Sequence, residues 1–109
     1  MEKARKIARL SKEAIPEILQ KPILLFNYEE VESKIENLSP LGIGLTIDKN
    51  SAIEKGDIFY LKYYALESDI KCVCVFSEGD ENEKNIGAYF TEPADQKIIM
   101  EYLYSKKEN

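Results

Sequence analysis

Of the fifteen basic residues in this chain, two are arginine, Arg5 and Arg9, and the other thirteen are lysine. Guanidinium is a planar fork that pairs two-pronged with phosphate oxygens or with the O6/N7 edge of guanine, whereas ammonium is a point charge. Spacing of four places both groups on one side of a helix, or within reach of one ligand if the segment is a loop. Arginine confined to one R-x-x-x-R points to a need for the fork there. The plainer reading is two solvated charges on a basic N-terminal helix. A second polar constellation is Asn37-Leu38-Ser39-Pro40-Leu41-Gly42. It sets an amide, a hydroxyl and a glycine around a sharp connection, all of them ordinary turn residues.

Other chemistry is missing from the chain. There is no histidine, so the usual general base at neutral pH and the usual Ser-His or Cys-His pairing are absent. The twenty Asp and Glu residues form no pair that stands out from a solvated background. Cys72 and Cys74 lie two apart in an apolar stretch, too close on a strand for a relaxed disulfide, and read as buried reduced thiols. Without histidine or further cysteine they complete no metal site. The expectation is a protein that is not an enzyme and holds no metal.

At 109 residues the chain is long enough for one core. Its hydrophobic share of 44% and charged share of 32% are those of a soluble globular protein. No apolar run approaches the roughly 18 residues of a membrane span. The start, MEKARKIARL, lacks the apolar stretch of a signal peptide, so a cytoplasmic location is expected. Charge is uneven. Residues 1–12 carry five basic groups (Lys3, Arg5, Lys6, Arg9, Lys12) against Glu2, a net of +4, and residues 13–109 carry ten basic against nineteen acidic, a net of −9. An acidic body argues against long nucleic acid, whose binding rests on phosphate neutralisation. A basic arm can still hold a small anion, an acidic partner or a lipid surface. The arm's apolar side (Ile7, Leu10, Ala4) is thin for a membrane anchor.

The elements that must position these groups follow from periodicity. Ile7, Leu10, Ala14 and Ile18 recur at helical spacing until Pro16 interrupts, which predicts a helix over about residues 3–14 and a broken turn to Gln20. Strands are predicted at Ile23–Tyr28, Val31–Asn37, Gly42–Ile47, Ile58–Tyr64, Ile70–Phe76 and Ile86–Phe90. In the second, Val31, Ser33, Ile35 and Asn37 would face one way and Glu32, Lys34 and Glu36 the other. Tyr60 and Tyr64 would share a strand face and read as core or interface. Thr91 and Pro93 can open a C-terminal helix with Ile98, Ile99, Tyr102 and Leu103 on its apolar side. The chain thus divides into a basic, partly helical arm over residues 1–21 and a β body over 22–106. Six short strands predict a small antiparallel barrel or sandwich.

With NLSPLG joining the second and third strands, the pattern resembles a PilZ domain, the bacterial receptor module for cyclic di-GMP. That family carries R-x-x-x-R upstream, here Arg5 to Arg9, and D/N-x-S-x-x-G between two barrel strands, here Asn37 to Gly42. The KGDIFYL strand opening (Lys55 to Leu61) and the closing IGAYF with its helix behind it also fit. The resemblance implies a mainly β fold, a six-stranded antiparallel barrel with an N-terminal helical arm and a C-terminal helix. It implies a non-enzymatic cyclic di-GMP receptor without other cofactor. Arg5 and Arg9 would clamp a guanine edge and a phosphate and stack on the purine. Asn37 would meet the guanine, Ser39 would offer a hydroxyl, and Gly42 would permit a close backbone approach. Ligand would order the arm and signal to a downstream protein. Some members of the family bind no nucleotide and act as adaptors through protein–protein contact alone, which is the second expectation.

Overall fold

A computed structural model describes residues 9–104 of the chain. Its strands are β1 (Leu10–Ser11), β2 (Ile23–Phe26), β3 (Glu29–Val31), β4 (Ser33–Leu38), β5 (Gly42–Asp48), β6 (Ile58–Lys62), β7 (Ile70–Gly79) and β8 (Glu83–Phe90), followed by one helix, α1 (Pro93–Tyr104). All ladders are antiparallel and build one sheet in the order β1-β4-β5-β8-β7-β6-β2-β3. The fold is mainly β with a C-terminal helix, as the sequence implies.

Side chains alternate across the sheet as the pleat requires. Ile43, Leu45 and Ile47 of β5, Phe59 and Leu61 of β6, Cys72 and Cys74 of β7, and Ile86, Ala88 and Phe90 of β8 are all buried in one cluster. Ile99 and Leu103 of α1 join the same cluster, so the predicted helical stripe does face the core. Each large apolar side chain so buried contributes about 1.5–3 kcal/mol relative to exposure. Pro93 occupies the first helical position, where its missing N–H costs nothing. Gln96 Nε2 donates to the Phe90 carbonyl at 2.9 Å and ties the helix start to the end of β8. Both cysteines are free and buried. Burial pushes the Cys72 thiol up, with the Asp95 charge adding to it, and burial raises Cys74 as well.

Four expectations need correction. The strand count is eight rather than six. The predicted second strand is two pieces separated at Glu32: β3 pairs with β2, and β4 pairs with β5. β3, at one end of the sheet, and β4, next to the other end, are therefore one residue apart in the chain, although no ladder among the described residues joins them.

The second correction concerns the predicted helix over 3–14. Residues 1–8 lie outside the described residues, and with them Arg5. Within residues 10–14, Leu10 and Ser11 form β1 on Leu38 and Asn37, and Lys12–Ala14 make a single 3-10 turn. Ile15 is extended (φ −78°, ψ 133°), as the residue before a proline should be. A ladder to β4 is available to Leu10 and Ser11, and helical periodicity alone does not outweigh it.

The third concerns the expected arm. Ile15 and Leu19 are buried in the common core. Gln20 Nε2 donates to the carbonyls of Lys12 and Ile15 at 3.2 and 2.8 Å, and Tyr63 Oη donates to the Leu19 carbonyl at 2.9 Å. Residues 15–20 thus pack as part of the body rather than loosely beside it.

The last concerns the tyrosines. β6 ends at Lys62, so Tyr64 is not on the strand and is fully exposed, while Tyr60 stands 41% exposed on the outer face. Neither is core. Tyr63, between them in sequence, is the buried one.

Candidate functional site

The connection from β4 to β5 is a tight turn in which the Ser39 and Gly42 backbones bond each other both ways, at 2.9 and 3.3 Å. Pro40 suits its second position, since the ring fixes φ where the turn needs it. Ser39 Oγ accepts from the backbone N–H groups of Leu41 and Gly42 at 3.2 and 3.3 Å, and the residue is only 5% exposed. The hydroxyl therefore braces the turn from inside. Gly42 is required by backbone packing: a β-carbon there would run into the Ala88 carbonyl oxygen of β8.

Asn37 reaches the surface through a bulge. In the β4–β5 ladder Ile35 pairs with Leu45 and Asn37 pairs with Gly44, so Glu36 is the extra residue. Ile35 points into the core and Asn37 does not, which corrects the expected alternation that put the two on one face. Above Gly44 the Asn37 amide takes the space that a side chain would fill. A β-carbon on Gly44 would lie 2.7 Å from Asn37 Nδ2 and 2.9 Å from Oδ1.

Arg9 arrives at the same place. β1 runs antiparallel to β4 with Ser11 opposite Asn37, and the exposed Arg9 guanidinium donates from Nη1 to Asn37 Oδ1 at 3.4 Å. The stretch from Leu10 to Lys21, which separates Arg9 from the first long strand, doubles back and returns the arginine to the turn. Arg9, Asn37, Ser39 and Gly42 are thus one cluster. Positive charge extends from it: Lys12, Lys21 and Lys34 line a pocket of about 380 Å³ with Gln20, Ser33 and Ile35. None of the three lysines has a carboxylate within ion-pair distance among the described residues, where Lys84–Glu54 is the one such pair. Three cations along one edge of an acidic body can favour an anion there.

A second bulge lies across the sheet. In the β7–β8 ladder Cys74 pairs with Ala88 and Phe76 pairs with Gly87, leaving Val75 unpaired. Cys74 stays in the core and Phe76 is turned outward, 45% exposed. Its ring covers Gly87, where a β-carbon would lie 2.7 Å from both Cδ2 and Cε2. Gly44 and Gly87 are themselves partners in the β5–β8 ladder. One row of the outer face therefore reads Asn37, Gly44, Gly87, Phe76 across four strands. Thr46 and Asn85 bound it on one side, their side chains 2.9 Å apart, and Gly42 and the exposed Tyr89 bound it on the other. Phe76, Gly87, Gly44 and Tyr89 were not among the residues expected from sequence. Two glycines inside strands are a signal of close approach and could have pointed to the row.

A groove of about 650 Å³ lies apart from this row, lined by Leu25, Asn27, Tyr28, Ile58, Tyr60 and Asp69. Asn27 and Tyr28 form the β2–β3 turn with φ of 53° and 68°, and Tyr28 is fully exposed. No group of three or more metal-ligating side chains occurs among the described residues, and none of their helices is long and apolar enough to cross a membrane.

No protein-family model matches the chain, and no curated protein matches it. The structure is similar to the crystal structure of an uncharacterized Legionella protein, with a TM-score of 0.56. The match covers 94% of this chain and 99% of that one at 16% identity. At that identity the likeness shows a shared fold and nothing about activity.

Proposed function

We propose that the protein is a non-enzymatic receptor for cyclic di-GMP of the PilZ type. The observation that carries this reading is the meeting of Arg9 with Asn37. Two short motifs twenty-eight positions apart converge on one edge of the sheet, and a lysine-lined pocket lies along the same edge. A guanidinium and an amide side by side suit a guanine edge, and the surrounding cations suit the two phosphates. Arg9 and Asn37 would contact the ligand. Ser39 and Gly42 would act mainly by fixing the turn that presents Asn37, and Arg5 would add the second fork. Counting β3 and β4 as one strand bent at Glu32, and β1 as an added tie, would leave six strands, the number expected of such a barrel. The signal would pass through the N-terminal segment to a downstream protein in the cytoplasm.

Calorimetric titration of the purified chain with cyclic di-GMP tests the proposal. Saturable binding that is lost in Arg9→Ala is expected. Heat no greater than dilution at millimolar ligand would remove the reading. A second reading, an adaptor that binds no nucleotide, draws support from the open groove beside Tyr28. In that case titration would give no heat, while a binding partner would be lost on Tyr28→Ser.

A further inference from the structure

We infer that Phe76 is a stacking surface for a purine of the ligand, held one strand spacing from the Asn37 amide. The inference rests on the cyclic di-GMP reading and adds a residue that neither motif contains. Asn37 lies over Gly44 and Phe76 lies over Gly87, and those two glycines are directly paired. Adjacent strands are about 4.8 Å apart, so the amide and the ring sit side by side on the same face. One side of the ring is pressed on the Gly87 backbone, and the exposed remainder faces away from the protein. The row is bare of other side chains between them, because both intervening residues are glycine. A flat heteroaromatic ring can lie over the exposed face of Phe76 with its edge toward the polar end, where Arg9 and Asn37 are.

Burial alone does not explain the geometry. Without the bulge at Val75, simple alternation would place Phe76 on the core side with Cys72 and Cys74. The bulge gives up that burial and sets an aromatic ring at the surface beside an amide and a guanidinium. Re-aiming one side chain is what bulges near binding sites do. Base stacking on an aromatic side chain is tolerant of geometry and strong enough to matter in a cyclic dinucleotide.

The chain has no tryptophan but seven tyrosines, so Phe76→Trp introduces a single tryptophan at the proposed contact, excited at the red edge where tyrosine does not absorb. Cyclic di-GMP should quench it saturably, at the concentration where calorimetry of the parent shows binding. Phe76→Leu keeps an apolar cover on Gly87 but removes the π face, and should weaken binding about tenfold. Phe76→Tyr should restore binding to near the parent value. Melting temperatures of all variants show whether a loss of binding follows a loss of fold; a Phe76→Leu protein that melts with the parent yet binds about tenfold more weakly supports stacking. Parent-like affinity in Phe76→Leu with an unquenched Phe76→Trp overturns the inference and leaves the receptor reading standing. Absence of binding by the parent itself overturns both.

Discussion

The two bulges, at Glu36 in β4 and at Val75 in β7, perform the same operation at opposite ends of one row, for opposite energetic reasons. In β4 the bulge takes an amide out of the core. Left in register with Ile35, Asn37 would be buried without partners, at a cost of about 1–3 kcal/mol. Turned outward, it lies beside the Arg9 guanidinium. In β7 the bulge takes a phenyl ring out of the core, which sacrifices part of the roughly 1.5–3 kcal/mol that burying it would contribute. Gly87 recovers some of that by giving the ring a backbone surface to cover. One bulge follows from ordinary polar satisfaction. The other runs against ordinary burial, and for that reason it carries the functional inference.

The largest effect on stability is expected from a glycine of the turn. At Gly42 the obstacle to a β-carbon is the Ala88 carbonyl, part of the neighbouring backbone, which cannot turn aside. Gly42→Ala should destabilise the fold by about 1–3 kcal/mol, as overpacking does, read as a lower urea midpoint at unchanged slope. A midpoint equal to the parent's would show that β8 yields, and the contrast between this glycine and the two on the row would disappear.

Arg9→Lys comes next and acts on binding. The charge remains and the fork is lost, so cyclic di-GMP affinity should fall by about 1–3 kcal/mol, the worth of a two-pronged contact. Stability should not change, because the residue is exposed. Lysine binding as well as arginine would mean that the polar end of the row contributes charge alone.

Gly44→Ala and Gly87→Ala probe the two ends separately. At both positions the obstacle is a side chain that can move, so stability should change by less than about 1 kcal/mol. The new methyl on Gly44 would lift Asn37 away from its place, and the one on Gly87 would lift Phe76. Each should weaken ligand binding, Gly44→Ala more than Gly87→Ala, because a displaced amide loses directed hydrogen bonds and a displaced ring keeps part of its stacking area. Equal losses, or a loss in neither, would show that the row does not act as two distinct ends.

Much of this arrangement could be read from residue types, and the limits have physical causes. Strands β2, β5, β6, β7 and β8 were legible because alternation and turn residues mark them, as was α1 because Thr91, Pro93 and an apolar stripe coincide. The polar end of the site was legible because arginine is rare here and Asn, Ser and Gly cluster in one turn. The bulges were not, since inserting one residue changes the facing of every later side chain without changing composition. The start of the chain misled for a related reason. Ile7, Leu10 and Ala14 fit a helical period, yet Leu10 and Ser11 gain ladder bonds from β4 that a local period cannot reveal. Ile15, which is extended, and Leu19, which ends a 3-10 turn over Glu17–Leu19, reach the core with no α-helix joining them.

The smallest effect is expected from Asn37→Asp, and its sign is the informative part. The amide offers guanine one acceptor, whereas a carboxylate offers two to the N1–H and N2–H donors. Aspartate would also pair with Arg9, which now reaches Oδ1 only at 3.4 Å, and charge-assisted bonds are shorter and stronger. Against this, a new negative charge would stand near the ligand's phosphates, although the three lysines of the adjoining pocket offset it. The balance favours equal or slightly tighter binding, within about tenfold of the parent. The comparison with the other end then becomes sharp. If Asn37 reads the base, Asp should preserve affinity while Phe76→Leu lowers it. If Asn37 only supports the turn, Asp should lower affinity by repulsion, and the phenyl ring rather than the amide would be the principal contact with the base.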